Sequence, residues 1–568
     1  MQRVNTTWLG NPWLTWDSEA LQTLRHELDA YLVSIRALRE SCTTPSAVSV
    51  LENLIKEALT RIVSLKTALR AYESMNPHSS SMIAAQTELQ EKWTHVMTLW
   101  DAIQNEHPIK GADTTPTPNP RHITLERLTP TLNAMHRHLF SQFRIEVSDT
   151  PTQMRHLSYS QTLQILKSSD DAALRKNVWR ASNAWCSQHR LLFTDLLNLT
   201  LAVKVPTTCD ENTLLEQACH EESIRPDTYH ALFDALESTK TTLQQSISLR
   251  AQAQGLSHLP VHELLSVRPP SSMTPSDFGS YESTLEHIQS AYSALDPDFK
   301  HFIEPLHEQQ WVDARLHSNK AGGTWCENFP PTQRVAIFAN FSTGLAGAMQ
   351  LAHPFAVGYL YHLHHQAGQF VPRVPYSILE IAGEIGMAQT LRHYASSPTA
   401  DHHTLLWYQL RSLTNKLLWL PMRHQLMKSL LLERSRWPLT SERINDLVKQ
   451  HWAHWFGDTV DGVDAYYWAL KPHFFRTDVL FYDWQYTLGY LLARKVLLEL
   501  EGLPAEERQR VLREFLVNLG NQPVETVTRT LFHWDIRSPA FWNAAIGITL
   551  EPIVQFRASD INQNDMWL

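Results

Sequence analysis

Four histidines crowd one short segment: His353, His362, His364 and His365. Imidazoles one helical turn apart face the same way and can share a divalent cation, so spacing decides whether metal chemistry is open to them. At about 100° per residue, His362 falls on the opposite face of a helix from His353. His364 returns to nearly the same face but stands about 16 Å further along the axis, and His365 is both distant and rotated. These four cannot clasp one ion. His402-His403, in PTADHHTLLW, suit the solvated start of a helix better than a metal site. Cys326 follows Gly-Gly-Thr-Trp, where a nucleophilic role competes with ordinary packing of a thiol.

The bulk of the chain bounds the remaining choices. It has 568 residues, 43% hydrophobic and 19% charged, with a formal charge of −9. No basic run appears, which argues against nucleic acid as a partner. Eighteen glycines are few for a strand-rich fold with many tight turns, so the composition leans towards helix. No signal-peptide pattern opens the chain and no apolar window reaches membrane-spanning length. The five cysteines are odd in number and lack a CxxC pair, as expected of reduced thiols in a cytoplasmic protein.

Helical periodicity is strongest near the start. Leu21, Leu24, Leu28, Tyr31, Ile35 and Leu38 make one stripe, and Val48, Leu51, Ile55, Leu59, Ile62, Leu65 and Leu69 a second after Thr44-Pro45. A third helix is expected over roughly 81–105, giving an N-terminal helical lobe over 1–110. GADTTPTPNPR has no periodicity and reads as a connection over 111–122, ahead of a body spanning 123–568. Ser168-Ser169-Asp170 look like the capped start of the helix carrying AALRKNVWRASNAW. In 320–344 glycine and proline punctuate RVAIFANF, a short run of β character. Such a small sheet serves either to present an edge or merely to stabilise a hairpin.

Four stretches, in order, carry a resemblance: LQILKSSDDAALRKNVWRASNAWCSQHRLLFTDLLNLTLAVKV; GGTWCENFP with RVAIFANFSTGLAGAMQLAH; PYSILEIAGEIG; and WALKPHFFRTDVLFYDWQYTLGYLLA. Together they resemble the oligoendopeptidase F and thimet-oligopeptidase family of zinc metallopeptidases, over roughly 120–500 and more weakly over the N-terminal helices. The resemblance implies a mainly α, zincin-like oligopeptidase fold: a two-lobed helical clam with a deep central channel and a small β-sheet at the cleft. It also implies an extended peptide lying along an edge strand and cut at zinc. Gly322, Gly323, Arg334, Phe338 and Phe341 would then shape the substrate-binding edge.

A zinc peptidase of this kind needs HExxH on one helix, two imidazoles to hold the metal and a glutamate to deprotonate its water. The matching positions read His353-Pro354-Phe355-Ala356-Val357. The base has become Pro354 and the second histidine Val357. Glu380 matches the third ligand. Pro354 either interrupts a helix that began near Thr343, at about 3 kcal/mol, or sits in the first turn of one beginning near Pro354 itself. His473, Tyr482 and Tyr486 match the family's groups that reach the scissile carbonyl, and Phe475 stands where relatives often carry tyrosine.

The expectation is a pseudo-peptidase that binds an extended peptide or peptide-like ligand, with no metal and no cofactor. His353 and Glu380 are remnant ligand positions, and His353, Glu380, His473, Tyr482 and Tyr486 the remnant catalytic set. The alternative is an active enzyme on a peptide-like substrate, through unconventional zinc ligation or metal-free chemistry in the same cleft. A protein partner is a third possibility, and a membrane is not expected.

Overall fold

Apolar stripes of period 3.6 become helices because only that winding gathers them on one face. The Leu21–Leu38 stripe forms the helix Glu19–Ser41, and the next stripe forms Pro45–Met75. Thr44 caps the latter by accepting a hydrogen bond from the Ala47 amide, with Pro45 at the first-turn position where its missing N–H costs nothing. The third expected helix is Ile83–Gln104. This computed structural model describes the chain apart from residues 1–6, 9, 42–43, 77–81, 105–119, 151–152, 170, 206–208, 267–277, 316–319, 322 and 565–568. Most of the proposed 111–122 connection therefore lies outside the described residues, and Pro120 opens the helix Pro120–Ser141. The helix Ala172–Gln188 is capped by Asp171 rather than by the residues preceding it. No helix of the described residues is long and apolar enough to cross a membrane.

The contacts divide the chain into two compact units. The first comprises residues 1–138, 298–340 and 357–374, and the second comprises 139–297, 341–356 and 375–568.

The first unit holds the N-terminal helices and a three-stranded sheet. Arg334–Phe338 is its middle strand, paired in parallel with Val312–Asp313 and antiparallel with Trp325–Phe329. This corrects the expectation of a free edge at Arg334–Phe338. From Val335 to Phe338 every residue is buried, as in a strand covered on both faces, not one alternating between core and solvent. Helix Pro45–Met75 covers the outer strand: Thr67 donates to the Asn328 carbonyl at 2.9 Å, Trp325 Nε1 to Ser74 Oγ at 3.2 Å, and Arg70 pairs with Glu327. Lys320 is wholly buried, 2.7 Å from Asp313 Oδ1 and 2.8 Å from the carbonyls of Arg315 and Ala339. Those bonds anchor the start of the glycine loop.

The second unit is built from long helices around fully buried tryptophans, among them Trp407, Trp455, Trp468, Trp484 and Trp542. Three of its helices matter most below. They are Leu345–Gln366 (the proline helix, whose second half belongs to the first unit), Tyr376–Ala395 (the glutamate helix) and Trp484–Glu501 (the tyrosine helix). Glycine lets them approach closely. A Cβ on Gly489 of the tyrosine helix would lie 2.7 Å from the backbone of Glu380, and one on Gly386 would lie 2.4 Å from the Ala356 Cβ.

Candidate functional site

Pro354 lies inside the proline helix, not at its start. Lacking an N–H, it cannot make the helical bond to the Gln350 carbonyl, yet the helix runs on through it. His353, just before it, points at the glutamate helix across Gly383. A Cβ at Gly383 would fall 2.2 Å from the His353 ring, so only glycine leaves room for the imidazole. In that space His353 Nε2 stands 3.8 Å from Glu380 Oε2.

Glu380 is buried, and its Oε2 has no hydrogen-bond partner. Its other oxygen accepts from the Tyr482 hydroxyl at 3.4 Å. Burial pushes the Glu380 carboxyl up to about 8, with neighbouring Glu384 adding to the rise and Lys416 opposing it. Burial likewise holds His353 down to about 4, Lys416 reinforcing the effect against Glu384. At neutral pH the pair is thus an uncharged imidazole facing a protonated carboxyl.

The remaining residues come from the turn Pro472–Phe475, which holds His473, and from the segment that follows it. His473 packs edge-on against Tyr482, ring centroids 5.1 Å apart, and lies 6.1 Å from Tyr486; the two tyrosines are 5.3 Å apart. Arg476 lies over Tyr376 and Tyr482, at 4.6 and 4.1 Å, while paired with Asp478, whose carboxylate also accepts from the Tyr376 hydroxyl at 2.9 Å. Arg476 thus lies on the Tyr482 ring, with Tyr376 edge-on to it at 4.8 Å. Burial raises the hydroxyl pKa of Tyr482 and Tyr486, which keeps both as donors. Burial lowers His473 to about 4, with Arg423 adding to it.

The five residues singled out as a remnant site, His353, Glu380, His473, Tyr482 and Tyr486, therefore form one connected cluster within the second unit. The proposed binding residues are dispersed. Gly322 is outside the described residues. Gly323 has a φ of +98°, which suits glycine, and its carbonyl accepts from Asn340 at 3.2 Å. Arg334 donates to Gln309 at 3.0 Å. Phe338 is wholly buried, stacked on Trp325 at 5.4 Å with the Lys320 ammonium 4.4 Å from its ring, and so packs the core instead of facing a ligand. Phe341 belongs to the second unit, edge-on to Tyr281. Phe475 is buried against Phe193. Cys326 is buried in the first unit, which drives its thiol pKa up, against the need of a thiolate nucleophile. His365 is held by Asn328 at 2.8 Å, and His402 and His403 are exposed at a helix start capped by Asp401.

Sequence reasoning missed Glu384, Lys416, Arg423 and Asp483. Lys416 Nζ stands 2.5 Å from Glu384 Oε1, and Arg494 lies 3.5 Å from the other oxygen. Burial would raise Glu384, but those two cations outweigh it and hold its pKa low. Arg423 and Asp483 form a buried pair at 2.6 Å beside His473. Glu384 carried a usable signal, one helical turn from Glu380 in ILEIAGE. Lys416, a lone cation in an apolar run, carried none.

A zinc ion takes three protein donors at about 2.0–2.2 Å in a catalytic site. His353 and Glu380 could supply two. One turn beyond His353, Val357 offers only an aliphatic side chain, Pro354 carries no ligating or basic group, and the neighbouring carboxylate Glu384 is already engaged by Lys416. Among the described residues, no group of three or more His, Cys, Asp and Glu side chains could hold a metal ion. The donor set does not fit a zinc-peptidase centre.

No protein-family model matches the chain, and no curated protein matches it. Solved structures do. A candidate peptidase from Chlamydophila abortus superimposes with a TM-score of 0.69 at 16% identity, covering 98% of this chain and 100% of its own. PZ peptidase A, solved with an inhibitor, gives 0.70 at 13% identity, covering 94% and 97%. Oligoendopeptidase F from Enterococcus faecium gives 0.56 at 13%, covering 95% and 91%. At such identities the likeness speaks for the fold alone. The chain has the helical oligoendopeptidase F fold.

Proposed function

We propose that this protein is a cytoplasmic pseudo-peptidase that binds an extended peptide or peptide-like ligand without zinc-dependent cleavage. One observation supports the reading: side chains suited to contact a peptide carbonyl are gathered in one cluster, while among the described residues no three His, Cys, Asp or Glu side chains are placed to hold a metal ion. His473, Tyr482, Tyr486 and the protonated Glu380 are all uncharged hydrogen-bond donors, matched to the carbonyl oxygens of an amide backbone. None needs to change its charge to bind, which suits recognition. The four described cysteines, Cys186, Cys209, Cys219 and Cys326, are free thiols, in keeping with a reducing compartment.

A second reading rests on Glu380. A buried carboxyl titrating near 8 beside an imidazole is poised as a general acid, so metal-free chemistry on a peptide-like substrate is the competing function.

Three measurements separate them: metal content of protein purified without chelators, calorimetric titration with a mixed peptide library, and hydrolysis of quenched peptides. Binding at micromolar concentration without turnover and without stoichiometric zinc is the expected result. Chelator-insensitive cleavage abolished by Glu380→Gln would favour the enzyme. Stoichiometric zinc with chelator-sensitive cleavage would overturn both readings.

A further inference from the structure

Lys416 approaches the glutamate helix from a break in regular winding. Asn415–Trp419 form a π-turn between the helices His402–Thr414 and Leu420–Arg434, and the Leu420 N–H bonds back to the Asn415 carbonyl. The next bond of that pattern would run from residue 421 to the Lys416 carbonyl, but residue 421 is Pro421 and has no N–H. The Thr487 hydroxyl fills the vacancy, donating to the Lys416 carbonyl at 2.6 Å. Single π-turns of this kind inside helices are frequent at functional sites.

The side chain so placed is well enclosed, 13% exposed. Its ammonium is 2.5 Å from Glu384 Oε1 and 4.9 Å from the centre of the Tyr486 ring. Glu384 is one turn beyond Glu380, so the two carboxyls share a face of the glutamate helix. The same positive charge bears on His353 and Glu380, the remnant ligand pair. An ammonium offers charge and three donors but no lone pair. It can neutralise a carboxylate; it cannot activate water.

We propose that the Lys416 ammonium is a tethered cation that takes the place of a divalent ion, closing the centre against metal. The inference rests on reading His353 and Glu380 as a remnant metal centre. It goes further than loss of ligands: restoring ligands alone leaves a fixed positive charge that repels zinc.

Zinc titration by calorimetry tests it on the full chain. The variant Pro354→Glu/Val357→His is compared with the same variant carrying Lys416→Met, and with one carrying Lys416→Arg. Removing the charge should tighten zinc binding at least tenfold, whereas arginine, which keeps it, should not. Because Lys416→Met leaves Glu384 short of a partner, Lys416→Met/Glu384→Gln is run alongside as the neutral pair; it removes the carboxylate's attraction together with the ammonium's repulsion, so its gain should be smaller than that of Lys416→Met alone. Equal affinity with and without the lysine charge overturns the inference and leaves the remnant-centre reading intact. No zinc binding by any variant overturns both. In the unmodified protein, ¹⁵N-lysine NMR with Lys416 assigned through Lys416→Arg should show an ammonium at pH 7.5 that millimolar zinc does not displace. A neutral amine there would also overturn it.

Discussion

Arg423 donates a hydrogen bond to Nδ1 of His473. Arginine has no acceptor, so that nitrogen must carry the lone pair, and the neutral ring must hold its proton on Nε2. Asp483, 2.6 Å from Arg423 and 3.4 Å from the same ring nitrogen, fixes the guanidinium that fixes the ring. His473 is thereby a donor through Nε2.

Nitrogen NMR of the His473 ring therefore has a definite expected outcome. At pH 7 the Nε2–H tautomer should dominate, and the ring should stay neutral down to about pH 4. Arg423→Met should relax the tautomer preference and raise the ring pKa, since it removes a cation and frees Nδ1 to take a proton. An Nδ1–H signal in the unmodified protein would contradict the arrangement.

Gly383→Ala tests the fit between the proline and glutamate helices. A Cβ 2.2 Å from the His353 ring forces the imidazole aside or the helices apart. Overpacking of that kind costs about 1–3 kcal/mol, more than the roughly 1 kcal/mol that alanine gains over glycine in a helix. Urea denaturation should show net destabilisation. In a His353→Ala background, the same change should become neutral or stabilising, because the obstructing ring is gone.

The helices were legible because their stripes repeat: Leu21 to Leu38 and Val48 to Leu69 both fall within single helices. The cluster of His353, Glu380, His473, Tyr482 and Tyr486 was legible through resemblance, which places matched residues in space without reading their environment. What escaped was set by tertiary contacts. RVAIF looks the same on paper whether it is an edge or a middle strand, and only its partners Val312–Asp313 and Trp325–Phe329 decide. Lys416 depends on a π-turn created by Pro421 and a hydroxyl seventy-one residues away, Thr487. No local period encodes such a bond.

The Lys320–Asp313 pair should be among the costliest single sites in the first unit. Both side chains are fully buried, and the ammonium also binds two carbonyls. Lys320→Met leaves the Asp313 carboxylate with Arg315, 3.1 Å away and partly exposed, and the Thr7 hydroxyl at 3.3 Å. Breaking one partner from a buried pair costs roughly 3–5 kcal/mol. Thermal unfolding should shift down by several degrees, and a shift within error would mean that water already reaches the pair.

Glu380 should leave a signature in the pH dependence of stability. Its carboxyl titrates near 4.5 when solvated and near 8 in the fold. A raised pKa means that the folded chain holds a proton which the unfolded chain has released. The contribution is therefore fully present below about pH 4.5, is lost progressively as pH rises, and levels off above about 8. His353 acts in the other direction: with its pKa lowered to about 4 from 6.5, its contribution is present above 6.5 and fades as pH falls through 4. Glu380→Gln removes the first effect and keeps the second. Its stability relative to the unmodified protein should climb between pH 5 and pH 8 by an amount on the order of a few kcal/mol, then stay constant. Urea titrations at pH 5, 7 and 9 read this directly. A difference that does not change with pH would mean that Lys416 already holds Glu380 ionised, and the uncharged donor assigned to it would have to be given up.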